Sequence, residues 1–309
     1  MRVSGLLHYG LQLPDLARGK DFYTDFGLSS AERGNQLVVR CDGRDQDQTV
    51  LVEGPDKRLH HVAFAAPVGS LPELQRHLES LGTALQDAPA EGLQGGLWFR
   101  DPDGNAVNVR EQELAPPRLV IRPKQNLAGD YQRVDEALWL TANTPPRPRR
   151  LGHMLLFSSD INRSQEFYER TLGLRLSDKI PGAAVFMNAG PGDHHVFGFV
   201  RSSHPGLHHS SWEVGNLDEL MVGAQTMADR GHRIGWGLGR HFPGSNLFHY
   251  MRDPWGSWIE YFIDMDQITE NWQAREWGWD DAKATPERPA VWCPVVPEAF
   301  MHNLEPKPE

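Results

Sequence analysis

The chain has 309 residues, 39% hydrophobic and 23% charged, enough for a large core and two domains of ordinary size. Its formal charge of −10 at pH 7 argues against nucleic acid as a partner, because phosphate recognition needs a basic face. Two cysteines, Cys41 and Cys293, make no disulfide framework and point to a reducing cytoplasm. No apolar run approaches the ~20 residues of a membrane span, and MRVSGLLHYGLQLPD lacks the apolar core and cleavage site of a signal peptide.

In chain order, Leu6-Leu7-His8-Tyr9-Gly10-Leu11 reads as a strand, and Pro14-Asp15 opens a helix carrying Lys20-Asp21-Phe22-Tyr23 and ending at Gly27-Leu28. Next, Leu59-His60-His61-Val62-Ala63-Phe64 precedes a helix from about Leu71 to Leu81, closed by Gly82. Phe99-Arg100-Asp101-Pro102-Asp103-Gly104 then forms a turn between short strands. All three features return downstream. Leu151-Gly152-His153-Met154-Leu155-Leu156 leads through Ser159-Asp160 to a helix with Gln165-Glu166-Phe167-Tyr168, ending at Gly173-Leu174. Leu207-His208-His209-Ser210-Ser211-Trp212 precedes a helix from about Leu217 to Arg230, closed by Gly231, and Met251-Arg252-Asp253-Pro254-Trp255-Gly256 repeats the turn. Three matches in the same order indicate a duplicated domain with small loop insertions.

Each half divides again, into βαβββ units near 5–57, 58–113, 150–204 and 205–265. The expected organisation is a first domain over 1–113, a linker over 114–149, a second domain over 150–265 and a tail over 266–309. Thr144-Pro145-Pro146-Arg147-Pro148-Arg149-Arg150 makes the linker's end stiff and non-helical. Trp272, Trp277, Trp279 and Trp292 suit a tail anchored on the domain surface or on a neighbouring subunit.

Strand parity selects the residues that can share a site. Along Leu207 to Val214, His209 shares a face with Ser211 and Glu213, while His208 lies with Ser210, Trp212 and Val214, the face suited to packing on the following helix. His153 falls with Leu151 and Leu155, and Glu260 with Trp258 and Phe262. A lone glutamate between aromatics on a strand is costly to bury without a cation. Two imidazoles and a carboxylate from three strands form a facial triad that suits Fe(II), with Mn(II) the close competitor. Any one of these residues alone is better explained by ordinary core satisfaction or a solvated edge. The weight lies in three on corresponding strands of a duplicated fold. The first half is an internal control: His8 and His61 match His153 and His209, but Asn108 stands where Glu260 does, so that half is expected to hold no metal. Glu111 lies on the opposite strand face from Asn108 and is a poor substitute.

On these residues the chain, over about 3–265, resembles the type I extradiol ring-cleaving dioxygenases of the vicinal oxygen chelate (glyoxalase/bleomycin resistance) superfamily. The resemblance rests on the triad and on His241, Tyr250, Asp253-Pro254-Trp255-Gly256 and Glu260 in order and spacing, departing only where His249 takes an apolar position. It implies an α+β fold of two tandem domains, each a pair of βαβββ units in a curved, open-barrel sheet. It also implies His153, His209 and Glu260 as iron ligands, His194 as the acid–base residue in preference to His195, and His241 and Tyr250 as a second-sphere pair. The implied reaction inserts both atoms of O2 into a catechol-type diol, opening the ring beside the hydroxyls to give a semialdehyde acid in aromatic-compound degradation, and a homo-oligomer is the implied assembly. Two other readings compete: a glyoxalase-type isomerase or lyase on Zn(II) or Ni(II), and a metal-free binding protein of the same fold. Neither GxSxG nor CxxC occurs, so serine hydrolase and dithiol chemistry have no support.

Overall fold

The computed structural model describes residues 2–116, 124–138, 146–280 and 284–307. The first half runs β1 (Gly5–Leu13), α1 (Leu16–Asp25), β2 (Ser29–Arg33), β3 (Gln36–Arg40), β4 (Thr49–Glu53), β5 (Arg58–Ala66), α2 (Leu71–Ser80), β6 (Leu97–Arg100) and β7 (Ala106–Glu111). Two short strands follow, β8 (Asn126–Leu127) and β9 (Asp130–Tyr131). The second half runs β10 (Arg150–Ser158), α3 (Ile161–Leu172), β11 (Arg175–Ile180), β12 (Ala184–Asn188), β13 (Gly192–Asp193), β14 (Phe197–Arg201), β15 (Gly206–Glu213), α4 (Leu217–Asp229), β16 (Gly235–Arg240), β17 (Leu247–Arg252) and β18 (Trp258–Ile263). The tail adds β19 (Gln267–Ile268), β20 (Arg275–Glu276) and a 3-10 turn at Glu298–Met301. The α+β fold of repeated units is therefore the one expected, with one local difference. The unit over 58–113 has only β6 and β7 after its helix, its third strand being reduced to a single bridge between Gln86 and Trp98. Much of the expected linker, 117–123 and 139–145, lies outside the described residues.

Local chemistry sets these elements. Asp160 caps α3 by accepting from the amides of Asn162 and Arg163, both at 3.1 Å, and Gly173 ends the helix at φ 68. Asn216 caps α4 in the same way through Glu219 N at 2.9 Å. The duplicated Asp-Pro turns are built alike. Asp253 Oδ1 accepts from Trp255 N and Ser257 N, both at 2.9 Å, and Asp101 Oδ1 from Asp103 N at 3.0 Å and Asn105 N at 2.9 Å.

The two sheets share a plan: β2-β3-β4-β1-β5-β7-β6 and β16-β17-β18-β15-β10-β14-β12-β11-β20. At the centre of each, two strands pair antiparallel, β1 with β5 and β10 with β15, and each is flanked by a parallel strand. The sheets stay open rather than closing into barrels. One hydrophobic core runs through both halves, holding Tyr9, Phe22 and Phe64 with Tyr168, Phe197 and Trp212. Polar contacts tie the halves together: Tyr9 Oη donates to Ser210 Oγ (3.0 Å), Tyr168 Oη to Asp101 Oδ2 (3.1 Å) and Tyr261 Oη to Phe26 O (2.6 Å). At a second junction the buried Glu305 carboxylate accepts from Leu59 N (2.9 Å) and Leu207 N (3.0 Å) and pairs with buried Lys57, which also donates to Ser257.

The tail packs on the second half. Trp272 Nε1 donates to Ser177 O (2.9 Å), Trp277 Nε1 to Asp178 Oδ2 (2.7 Å) and Trp236 Nε1 to Pro294 O (3.0 Å). Arg240 and Trp292 form a backbone bridge at the β16 edge. Among the described residues no helix is long and apolar enough to cross a membrane.

Candidate metal centre

Register across the second sheet places the chemistry. Tyr250 on β17 pairs with Glu260 on β18, Glu260 with Ser211 on β15, and Ser211 with His153 on β10, so one rung crosses four strands. His209 stands two residues before Ser211 on the same strand, and the small serine leaves room between the larger groups. The ligating atoms of His153, His209 and Glu260 all lie within 4.8 Å of one another, and all three residues are buried. His153 Nε2 is 3.2 Å and His209 Nε2 3.7 Å from Glu260 Oε2.

The two carboxylate oxygens have different surroundings. Oε1 accepts from Asn246 Nδ2 at 3.2 Å and lies 3.7 Å from His241 Nε2. Oε2 has no hydrogen-bond partner, and neither does His209 Nε2 beside it. Buried polar atoms are rarely left unpaired, and here unpaired acceptors from two strands converge on the Nε2 face of a third residue. Those ligand atoms would fit a divalent cation: one anionic oxygen and two imidazole nitrogens beside the cavity. Burial pushes the Glu260 carboxyl up, but the adjacent imidazoles of His153, His241 and His209 outweigh it and hold the group well below the usual range. Burial, then His208, holds the His209 imidazole well below its ordinary value, leaving it neutral as a ligand must be.

His241 Nε2 and Tyr250 Oη are 3.0 Å apart, and His241 stacks on Phe248 at 3.9 Å between ring centroids. Burial and the neighbouring Glu260 charge keep the Tyr250 hydroxyl protonated well above pH 10, so it acts as a donor. Around these groups is a cavity of ≈ 230 Å³, lined by His153, His195, His208, His209, His241 and Tyr250 together with apolar side chains.

His194, the expected acid–base residue, is placed elsewhere. Its ring packs on Trp272 (5.1 Å), and Nε2 lies 3.2 Å from buried Asp178 Oδ2, behind the cavity wall. His195 lines the cavity instead, its ring 4.4 Å from that of His153. The preference for His194 rested on the family resemblance, which strand alternation through it would have allowed. The chain bends at 194–196 between β13 and β14, with His194 N donating to Asp266 O (2.8 Å) and Val196 N to Met187 O (2.9 Å), so alternation does not apply there.

Two bulges also correct the parity argument. Pairing of β10 with β15 skips Gly152, and Leu151 joins the core with Met154 and Leu156 rather than sharing the face of His153 and Leu155. The ring of Phe262 lies where a side chain at 152 would be, which requires glycine. The register also skips His208, so this histidine lines the cavity alongside His209, packed on Phe157 (4.8 Å) and Phe300 (4.8 Å). Trp236 also lines the cavity, whereas Trp255 of the Asp-Pro turn lies under Arg18 of α1. Sequence reasoning missed Asn246, a buried amide inside the His241–Tyr250 interval whose position carried the only hint, and Phe300, which had no signal at all.

The chain belongs to the Glyoxalase/Bleomycin resistance protein/Dioxygenase superfamily, whose family model matches residues 5–109 and 150–261. Within it, the chain is 37% identical over 318 aligned positions to Metapyrocatechase 2 of Cupriavidus necator, covering 98% of this chain and 93% of that protein. It is 26% identical to the iron-dependent extradiol dioxygenase of Rhodococcus jostii (strain RHA1), covering 90% and 93%. In fold it resembles the Mn(II)-bound glyoxalase from Novosphingobium aromaticivorans, with a TM-score of 0.77, 22% identity and coverage of 98% and 95%.

Proposed function

We propose that this protein is a metal-dependent extradiol dioxygenase that opens the ring of a catechol-type diol beside its hydroxyls, taking both atoms of O2 into a semialdehyde acid. The observation that carries this reading is the convergence of His153, His209 and Glu260 on one point, with unpaired acceptors, beneath a cavity rimmed by His195, His241 and Tyr250. The names of the Cupriavidus and Rhodococcus relatives support the ring-cleaving chemistry. A glyoxalase-type reaction is less well supported, because Glu260 is the single carboxylate in the cluster among the described residues.

His153, His209 and Glu260 would hold the ion. Either Fe(II) or Mn(II) suits two imidazoles and a carboxylate, and the name of the Rhodococcus relative favours iron. The ion, when bound, supplies a Lewis acid and an electron relay between diol and O2. The remaining work falls to this chain's side chains. Asn246 holds Oε1 of Glu260 and so turns Oε2 toward the two imidazoles. Tyr250 donates a hydrogen bond to a substrate oxygen, and His241, joined to it at 3.0 Å, stabilises the deprotonated diol. His195, facing the cavity beside His153, gives and takes the proton as bonds break. The apolar wall keeps bulk water from the reacting ring. The first half, with Asn108, carries no metal in this proposal. Two cysteines without partners suit a reducing cytoplasm, and exposed Val291, Trp292 and Val295 on the tail suit a homo-oligomer contact.

The test is anaerobic reconstitution with Fe(II) or Mn(II), metal analysis, then catechol and air. Stoichiometric O2 uptake with a yellow ring-fission product is expected. Metal bound at one ion per chain without O2 uptake across a panel of catechols would overturn the proposal.

A further inference from the structure

The wall of the cavity comes from two sources. The sheet provides Leu155, Phe186 and Val200, and the tail provides Trp279, Val296 and Phe300. The polar side chains of the lining are the triad's His153 and His209, the neighbouring His195, His208, His241 and Tyr250, and two tryptophans, of which Trp236 already spends its N–H on Pro294 O. Among the described residues the lining contains no lysine, arginine, aspartate or glutamate. The tail's contribution is held in place rather than draped. Val296 N donates to Glu287 O at 2.8 Å, Val291 N to Arg240 O at 2.8 Å, and the Phe300 ring packs on Trp236 (4.7 Å), Tyr250 (5.0 Å) and Trp258 (5.2 Å).

The geometry points to a substrate whose ring carries an uncharged, apolar substituent, with the tail, through Val296 and Phe300, setting that specificity. This inference rests on the ring-cleavage reading for the orientation of the diol. The hydroxyls must face the triad, His241 and Tyr250, which leaves the rest of the ring against the apolar wall. A methylene buried there adds about fourfold in affinity. A carboxylate or ammonium placed there would lose its hydration without gaining a partner.

The test compares catechol, 3- and 4-propylcatechol, and 3,4-dihydroxyphenylacetate on the metal-loaded full chain. Anaerobic calorimetry measures binding, and oxygen uptake is followed in parallel. The better propylcatechol is expected to bind at least tenfold more tightly than either catechol or the carboxylate. Val296→Phe should cut that advantage by tenfold or more, while Val296→Ala should keep it. The inference is overturned if the carboxylate binds as tightly as the propyl compound, if propyl gains nothing over catechol, or if Val296→Phe leaves the advantage intact. Selective binding without oxygen uptake would sink the ring-cleavage reading and leave the apolar subsite standing. Oxygen uptake without selectivity would do the reverse.

Discussion

The two halves carry the same rung and use it for opposite ends. In the second sheet the rung reads Tyr250, Glu260, Ser211, His153, and in the first it reads Trp98, Asn108, Ala63, His8. In the first half every polar group on that rung turns inward. His8 Nε2 and His61 Nε2 hydrogen-bond to each other at 3.2 Å, and Asn108 Nδ2 donates to Gly95 O (3.2 Å) and Leu97 O (3.1 Å). Arg110 Nε closes the set on Asn108 Oδ1 at 2.7 Å and adds a fixed positive charge where a cation would sit. Trp98, Leu93, Val38 and Val50 fill the concavity that in the second half is open. Two histidines in register are common to both halves, and what differs is the third residue and its surroundings. In the second half a carboxylate oxygen without a hydrogen-bond partner stands beside the two imidazoles and a cavity, whereas in the first the matching amide is fully paired.

Exchanging the rung residues tests that lesson, beginning with the largest effect. Glu260→Asn should reduce bound metal, measured by elemental analysis, from one ion per chain to none, and ring-fission activity should vanish with it. Asn108→Ala should leave one ion bound. Loss of metal in the second variant would show that the halves had been assigned the wrong way round. Next, His195→Phe should lower kcat by about 10²–10⁴-fold with metal content unchanged. His194→Phe should leave kcat within a few-fold and instead loosen the tail around Trp272, seen as faster proteolysis. The opposite ranking would restore His194 as the proton-handling group. Smaller still, Asn246→Leu frees Oε1 of Glu260 and should weaken metal affinity by about 10–100-fold, read by chelator competition.

The smallest effect concerns the closed half. Burial, then Arg110, holds His8 down at about 3 against an ordinary 6.5, and burial with His8 and His60 holds His61 well below its ordinary value. The unfolded chain therefore binds more protons than the folded one between those limits. For His8 the stability present above pH 6.5 is lost as pH falls from 6.5 toward 3, on the order of 1 kcal/mol by pH 5.5. Denaturant midpoints over pH 7.5 to 5.5 should fall for the wild type and fall less for His8→Gln. Equal slopes would mean that the pair is not buried neutral.

Duplication, the triad and the Asp-Pro turns were legible because each depends on residue types at fixed spacing within regular strands and helix ends. The errors came where the backbone departs from regularity. Bulges at Gly152 and His208 reset which neighbours share a face, and the bend at 194–196 decides which of two adjacent histidines lines the cavity. Phe300 was invisible because it reaches the cavity from outside the repeated units, through contacts that no periodicity encodes. Asn246 is intermediate. Its place between His241 and Tyr250 was visible, but its partner oxygen could be known only once β18 had been set beside β17.

Glu305 has a consequence for how the molecule comes to completion. Its carboxylate joins the start of β5, 246 residues earlier in the chain, to the start of β15, 98 residues earlier. Without that residue, Lys57 loses its ion-pair partner at the position where it is buried. Removing one partner of a buried pair costs about 3–5 kcal/mol. A chain without Glu305 would therefore leave this joint between β5 and β15 unmade, however completely each sheet had formed.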